Sequence, residues 1–152
     1  SAPWKESRDA GVGLNNLIEP TGAVTMFLST WGRQEGFGPN EFFSDFPKMQ
    51  EYLNFGYRQY QLAANNPLSF VAPAGVAFQL VYDDTIAAGG TATSAPFSSL
   101  YKGDGSHPSD QGSYLAACVI FAAYTGLPAT GLEWRPDYVS VESRHYLQRK
   151  AD

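Results

Sequence analysis

Two short apolar runs, separated by amphipathic segments, constrain the fold of this chain more than any other sequence feature. Residues 23–28 (AVTMFL) form a continuous apolar run, which is typical of a strand buried on both faces of a parallel sheet. Residues 69–75 (SFVAPAG) predict a second short buried strand. Helical patterns alternate with these strands, as in βαβ units. The sequence therefore predicts an α/β fold with a parallel sheet and helices on both faces.

The helical patterns are punctuated by capping and breaking residues. Asp45 is suited to cap a helix, Pro47 belongs in a first turn, and NNP at 65–67 ends the same pattern. Residues 85–100 are rich in Ala, Gly, Thr and Ser and predict a surface loop. The predicted helices span residues 4–18, 46–64, 76–84, 113–125 and 136–150.

Only two convincing strands are present, and a doubly wound sheet needs more. Parallel strands are covered on both faces and paired at their edges, so two strands leave edges and apolar surface without cover. We therefore expect residues 1–152 to be the C-terminal portion of a single α/β domain, with 136–152 as a terminal helix. The N-terminal half is expected as a separate chain, as part of a larger assembly, or as a segment that precedes Ser1 in a longer polypeptide.

Charge and hydropathy exclude some classes of partner. The net charge is −5 and no dense Lys/Arg run exists to follow a phosphate backbone, which disfavours nucleic-acid binding. No apolar run approaches the roughly 20 residues that span a bilayer. The one cysteine, Cys118, excludes a disulfide within the chain and is predicted to be a small buried apolar residue. Ser1 in place of an initiator Met indicates a processed or truncated start, and a processed start favours a secreted or organelle-targeted protein.

Asp104 and His107 are the candidate chemical groups. They lie three residues apart in a Gly/Ser/Pro-rich loop, just before a helix that starts near Asp110. A carboxylate at this spacing can bind one imidazole nitrogen and leave the other free as a general base. Two other interpretations stay open: a simple turn in which Ser109 or Asp110 caps the helix, and a metal site built from Asp104, His107 and Asp110 that lacks a second cluster of ligands. No cofactor is predicted.

The motifs together resemble one enzyme family. The segment LYKGDGSHPSDQGSYLAACVIFAAYTG (100–126) resembles the last block of SGNH (GDSL-type) hydrolases. An earlier loop, TWGR followed by Gly36, and the segment APAGVAF (72–78) fit the same family in the same order. The resemblance runs from about residue 4 to about residue 126. It implies a three-layer, flavodoxin-like parallel sheet, of which this chain would be the C-terminal half.

The resemblance also implies roles for individual residues. Asp104 matches the acid of the catalytic triad and His107 matches the general base. The serine nucleophile of such enzymes lies in an N-terminal block that nothing here matches. Ser29 lies in the segment that matches the TWGR loop, and Ser113 is in a helix start. GDGS at 103–106 imitates the nucleophile motif, but no buried strand precedes it and its Asp is already assigned. The G-x-S-x-G pattern is also absent.

Trp31 and Arg33 of the TWGR loop are candidate substrate-binding residues. A buried Trp and a surface or ion-paired Arg are equally compatible with the sequence. The substrates that the resemblance implies are acyl esters, among them O-acetylated carbohydrates.

Two further functions compete with the esterase. The first is a non-catalytic structural or interaction subunit that keeps the fold and has lost the chemistry. The second is a carbohydrate-binding module that uses exposed aromatic rings among Trp4, Trp31 and Trp134. Retention of both Asp104 and His107 favours the esterase over the non-catalytic subunit. The carbohydrate-binding module ranks last, because scattered aromatic residues more often belong to the core.

Overall fold

The computed structural model describes residues 3–152, with side chains from Lys5 onward. Ser1, on which the expectation of a processed start rests, and the side chain of Trp4 lie outside the described part. Within residues 3–152, five α-helices and one small parallel sheet make a mixed α/β fold. The elements in chain order are α1 (Pro3–Ile18), β1 (Met26–Leu28), α2 (Phe46–Ala64), β2 (Phe70–Ala72), α3 (Ala74–Ala87), α4 (Asp110–Thr125) and α5 (Val141–Ala151).

The two strands pair in parallel, as the alternation of elements predicts. The register sets Met26 beside Phe70, Phe27 beside Val71 and Leu28 beside Ala72. The crossover between the strands is α2, which packs against both of them and against α1. The helices α3, α4 and α5 pack on one another, and α4 contacts β2.

Local capping chemistry explains where the helices begin and end. The Asp45 carboxylate accepts a hydrogen bond from the backbone N–H of Lys48 at 3.0 Å, which confirms Asp45 as the N-cap of α2. The same helix ends at Asn65, whose left-handed backbone (φ 50°) turns the chain before Pro67. Ser109 caps α4 by accepting a hydrogen bond from the N–H of Gly112. The predicted bounds of α2 are confirmed residue for residue.

Several other predicted bounds are wrong. The first strand begins at Met26 and not at residue 23. The second strand ends at Ala72 and α3 begins at Ala74 and runs to Ala87, into the predicted loop. Residues 98–100 of that loop form a 3-10 turn. The last helix begins at Val141 and not at 136, because Ser140 caps it by accepting a hydrogen bond from the N–H of Ser143.

The core lies between α2, α3, α4 and α5, away from β1. Aromatic rings dominate it: Phe46 and Phe97 meet at 4.6 Å between ring centres, and Phe97 and Tyr101 meet at 5.3 Å. Cys118 is buried in this core, as predicted. The other fully buried large apolar side chains are Phe78, Val81, Leu100, Leu115, Val139 and Leu147.

The first strand is less buried than the sequence predicts. Met26 and Phe27 are half-buried, and Leu28 is 36% exposed, so the expectation of burial on both faces is wrong for this chain. Among the described residues, only β2 pairs with β1, and the edge of β1 opposite β2 is open. Nearby on the chain, Leu14 and Leu17 of α1 are 62% and 73% exposed. The apolar run therefore forms a strand that is only partly buried within residues 3–152.

Candidate active site

The loop at 101–109 folds into a tight turn that brings Asp104 and His107 together. The N–H of Lys102 donates to the carbonyl of His107 at 2.8 Å, and the N–H of Gly105 donates to the carbonyl of Lys102 at 2.9 Å. Gly105 has a φ of 64°, in the left-handed region that favours glycine. The DGSH sequence therefore favours this turn through its backbone alone, because it has a glycine at the position that needs a positive φ.

Asp104 uses both of its oxygens. Oδ1 accepts hydrogen bonds from the backbone N–H groups of Ser106 and His107, each at 2.9 Å. Oδ2 lies 2.6 Å from Nδ1 of the His107 imidazole. The hydrogen bond with His107 is the largest of the influences that hold the pKa of Asp104 well below its ordinary value, with the two backbone N–H groups adding to it. The carboxylate is therefore ionised and fixed in orientation at neutral pH.

The geometry settles which imidazole nitrogen is available. Because Nδ1 faces a carboxylate, which can only accept, Nδ1 carries a proton, and Nε2 of the neutral ring is left with its lone pair. His107 is 74% exposed, and Nε2 makes no hydrogen bond to any residue in 3–152. The pair thus consists of an oriented carboxylate and an imidazole with one nitrogen free of hydrogen bonds to residues 3–152.

The TWGR loop holds this turn in place. The indole Nε1 of Trp31 donates to the carbonyl of Ser106 at 3.3 Å, and the N–H of Gln34 donates to the carbonyl of Gly105 at 2.8 Å. The Trp31 ring stacks on Phe78 with 4.4 Å between ring centres and 6° between planes. Trp31 is therefore half-buried against the core and braces the DGSH turn.

Arg33 takes a different position on the same loop. Its guanidinium lies over the ring of Phe37, 4.1 Å from the ring centre, and the side chain is exposed. Arg33 forms no ion pair with a described residue. Of the two candidate binding residues, Arg33 has its charge directed to solvent, while Trp31 supports the turn.

Sequence reasoning missed Gln50, the residue of α2 that binds the backbone of the TWGR loop. Gln50 is completely buried, and its Oε1 accepts a hydrogen bond from the N–H of Gly32 at 2.8 Å. Its Nε2 donates to the side chain of Asn54 at 2.8 Å and to the carbonyl of Thr30 at 3.4 Å. Gln50 is one turn after Phe46 on the core-facing side of α2, and a polar side chain at such a position was the available signal.

Tyr101 supports the loop from the other side. Its hydroxyl donates to the carbonyl of Gly32 at 2.7 Å, and burial raises the pKa of Tyr101 well above its ordinary value. The hydroxyl therefore stays protonated as a donor. Together with Gln50, it pairs both backbone polar groups of Gly32.

Ser29, Ser106 and Ser113 make no hydrogen bond to the imidazole of His107 within the described residues. Ser29 follows β1 and is buried, with a hydroxyl that has no hydrogen-bond partner in the described part of the protein. Ser113 is exposed in the first turns of α4. Ser106 is next to His107, but its hydrogen bonds are made by its backbone: its N–H donates to Asp104 and its carbonyl accepts from Trp31.

The metal alternative finds no support in the geometry. No group of three or more His, Cys, Asp or Glu side chains within residues 3–152 is arranged to hold a metal ion. Asp110 lies in the first turn of α4, where a negative charge suits the helix dipole.

None of the helices in residues 3–152 combines the length and apolar character that a bilayer crossing requires.

Comparison with known proteins gives a fold and no activity. No family model matches the chain, and no curated protein matches it significantly. A solved crystal structure of a DUF4886 family protein from Bacteroides uniformis is similar, with a TM-score of 0.71 and 19% sequence identity. The match covers 95% of this chain and 55% of that protein, so this chain spans about half the length of its structural neighbour.

Proposed function

We propose that this chain supplies the acid and the base of an SGNH-type serine esterase, whose nucleophilic serine lies on the N-terminal half of the domain. The observation that carries the proposal is the 2.6 Å contact between Asp104 Oδ2 and His107 Nδ1, with Nε2 open to solvent. An imidazole fixed in this way is oriented to accept a proton from a hydroxyl placed opposite it. The N-terminal half would be a separate chain or part of a larger assembly.

The proposed reaction is acyl transfer from an ester to water. Nε2 of His107 takes the proton of the serine hydroxyl as its oxygen attacks the ester carbonyl, and Asp104 stabilises the imidazolium that forms. The imidazolium then protonates the leaving alcohol, which leaves an acyl-enzyme. Water, deprotonated by the same Nε2, releases the acid and returns the serine. Oxyanion donors come from the half that carries the serine.

The architecture proposed for the complete domain is the three-layer, flavodoxin-like arrangement of that family. Two features of this chain support it. The edge of β1 opposite β2 is unpaired within the described residues, and Leu28 beside it is partly exposed. The similar solved structure also extends well beyond the region that this chain matches. A further parallel strand on β1 would close that edge.

The substrate class proposed is acyl esters, with O-acetylated carbohydrates as the first candidates. Arg33 would bind a substrate oxygen; the exposure of its guanidinium, which lies over the Phe37 ring at 4.1 Å from the ring centre, supports this. Trp31 would form the wall behind the turn.

The experiment is fluorophosphonate labelling of the native material, followed by a denaturing gel and intact-mass analysis. The probe forms a covalent bond to an activated serine. Label on a second, co-purifying chain would support the proposal, since this chain would then supply only the acid and base. A partner chain that takes no label would contradict it and favour the non-catalytic subunit, for which the open β1 edge is the supporting observation.

The carbohydrate-binding alternative keeps limited support. Trp134 is 71% exposed, but Trp31 is engaged with Phe78 and Ser106. Glycan binding without turnover would be its signature.

A further inference from the structure

A cleft of about 710 Å³ lies along one flank of α2, between that helix and β2. Neither Asp104 nor His107 lines it. Asn54 and Arg58 lie one turn apart on α2, and Asn65 caps the end of the helix. The stretch from Asn54 to Asn65 lines the cleft over about 16 Å, at ~1.5 Å per residue. The cleft is long enough for a small organic molecule larger than an inorganic ion.

A hydrogen-bond chain fixes which end of Asn54 is available to a ligand. The backbone N–H of Gly32 can only donate, so the atom of Gln50 that it meets is the oxygen. The other end of Gln50 is then an amide N–H₂, which donates to Oδ1 of Asn54 at 2.8 Å. The Nδ2 group of Asn54 is left as a donor without a partner in residues 3–152.

The same logic applies at the far end of the cleft. Oδ1 of Asn66 accepts from the backbone N–H of Leu68 at 3.0 Å, which leaves its Nδ2 as a second available donor. Gln61 is reversed: its Nε2 donates to the carbonyl of Ser69 at 3.2 Å, so its oxygen is an available acceptor. The cleft thus offers several donors and at least one acceptor.

The charge of the lining is positive. Arg58 is exposed and makes no hydrogen bond or ion pair with the described part of the chain. No Asp or Glu lines the cleft, although the chain as a whole carries a net charge of −5. A guanidinium among amide donors suits a carboxylate, and the Gln61 oxygen suits a hydroxyl.

We propose that this cleft binds a hydroxyl-bearing carboxylate of the size of a sugar acid. Arg58 binds the carboxylate, Asn54 and Asn66 donate to ligand oxygens, and Gln61 accepts from a ligand hydroxyl. This site does not depend on the esterase proposal, because none of its groups takes part in that chemistry.

The test is a titration of the protein, isolated with any partner chain it retains, observed through the side-chain amide NMR signals of Asn54 and Asn66. The probes are D-glucuronate, D-glucose and inorganic phosphate. We expect saturable shifts of both signals with glucuronate, and much weaker shifts with the other two. Arg58→Gln should weaken glucuronate binding by about tenfold or more, because a charge-assisted contact is lost. The matched control is Arg149→Gln, an exposed arginine on α5 that does not line the cleft.

Three results would overturn the proposal. Glucuronate could leave both amide signals unmoved. Phosphate could bind as tightly as glucuronate, which would indicate a general anion site. Arg58→Gln could bind glucuronate as well as the Arg149→Gln control does.

Discussion

At the residue scale, contacts within the short DGSH sequence fix the conformation of the turn. Asp104 accepts two backbone hydrogen bonds and one from the imidazole, so one side chain both builds the turn and orients the base. The turn interpretation and the catalytic interpretation of the sequence are therefore compatible. Sequence reasoning could reach this pair because both residues lie within one short loop.

The ionisation of Asp104 gives a pH prediction. Its lowered pKa means that the stabilisation of the turn is fully present above the ordinary value of about 3.8 and is lost as the pH falls through the folded-state pKa. The ¹³Cγ signal of Asp104 should titrate with a midpoint below 3.8. In His107→Gln the pKa midpoint of Asp104 should rise, because the carboxylate loses its hydrogen bond with the imidazole, which is the largest cause of the lowered pKa. A wild-type midpoint at or above 3.8 would contradict the arrangement.

At the element scale, the sequence predicts a helix boundary correctly where local capping and helix-breaking residues set it, and fails where they do not. The helix α2 is bounded by Asp45 with Pro47 and by Asn65 with Pro67, all readable in sequence. At α5, Pro136 suggests a start, but the chain forms a turn there and Ser140 provides the cap. The loop contacts made by Gln50 join segments 18 or more residues apart, which no local pattern reveals.

Gln50 tests the support of the TWGR loop. Gln50→Ala leaves the N–H of Gly32 buried without a partner, and we expect a loss of unfolding free energy of about 1–3 kcal/mol. Glu51→Ala, at the exposed neighbouring position, should change it by less than about 0.5 kcal/mol. Denaturant unfolding of both variants measures the difference. Equal stability of the two would show that Gln50 does not anchor the loop.

Two helical glycines should respond in opposite directions to the same substitution. A Cβ on Gly112 would overlap the backbone carbonyl of Leu100, which cannot rotate away, so Gly112→Ala should destabilise the protein by about 1–3 kcal/mol. A Cβ on Gly56 in α2 meets nothing within 4 Å, so Gly56→Ala should stabilise by about 0.5–1 kcal/mol. The melting temperatures of the two variants provide the measurement. A stabilising Gly112→Ala would refute the close packing of α4 against residue 100.

At the scale of the whole molecule, the helical core is closely packed, and the sheet within residues 3–152 has two strands. Phe46, Phe78 and Phe97 are fully buried, while β1 keeps an open edge in the described residues. Counting strands in the sequence correctly predicted the two-stranded sheet of the described residues. The N-terminal half that this count implies stays a prediction. The count did not reveal that the exposed apolar surface would include Leu14 and Leu17 of α1.

The open edge predicts how the chain behaves alone. Without a partner it should self-associate, because unpaired strand edges and exposed leucines promote pairing between copies. Leu28→Lys on β1 should raise the monomer fraction in size-exclusion chromatography with light scattering, whereas Leu127→Lys, also at an exposed leucine, should not. A wild-type monomer with a cooperative thermal transition would count against the half-domain account.

The central claim is that His107 is the base for a serine on the N-terminal half of the domain. The most direct measurement is the rate of fluorophosphonate labelling of the native complex in three forms: wild type, His107→Gln and His145→Gln. His145 is the other histidine of the chain, exposed on α5. The account predicts that labelling slows by a factor on the order of 10³ or more in His107→Gln and is unchanged in His145→Gln. Equal labelling rates in all three forms would contradict it.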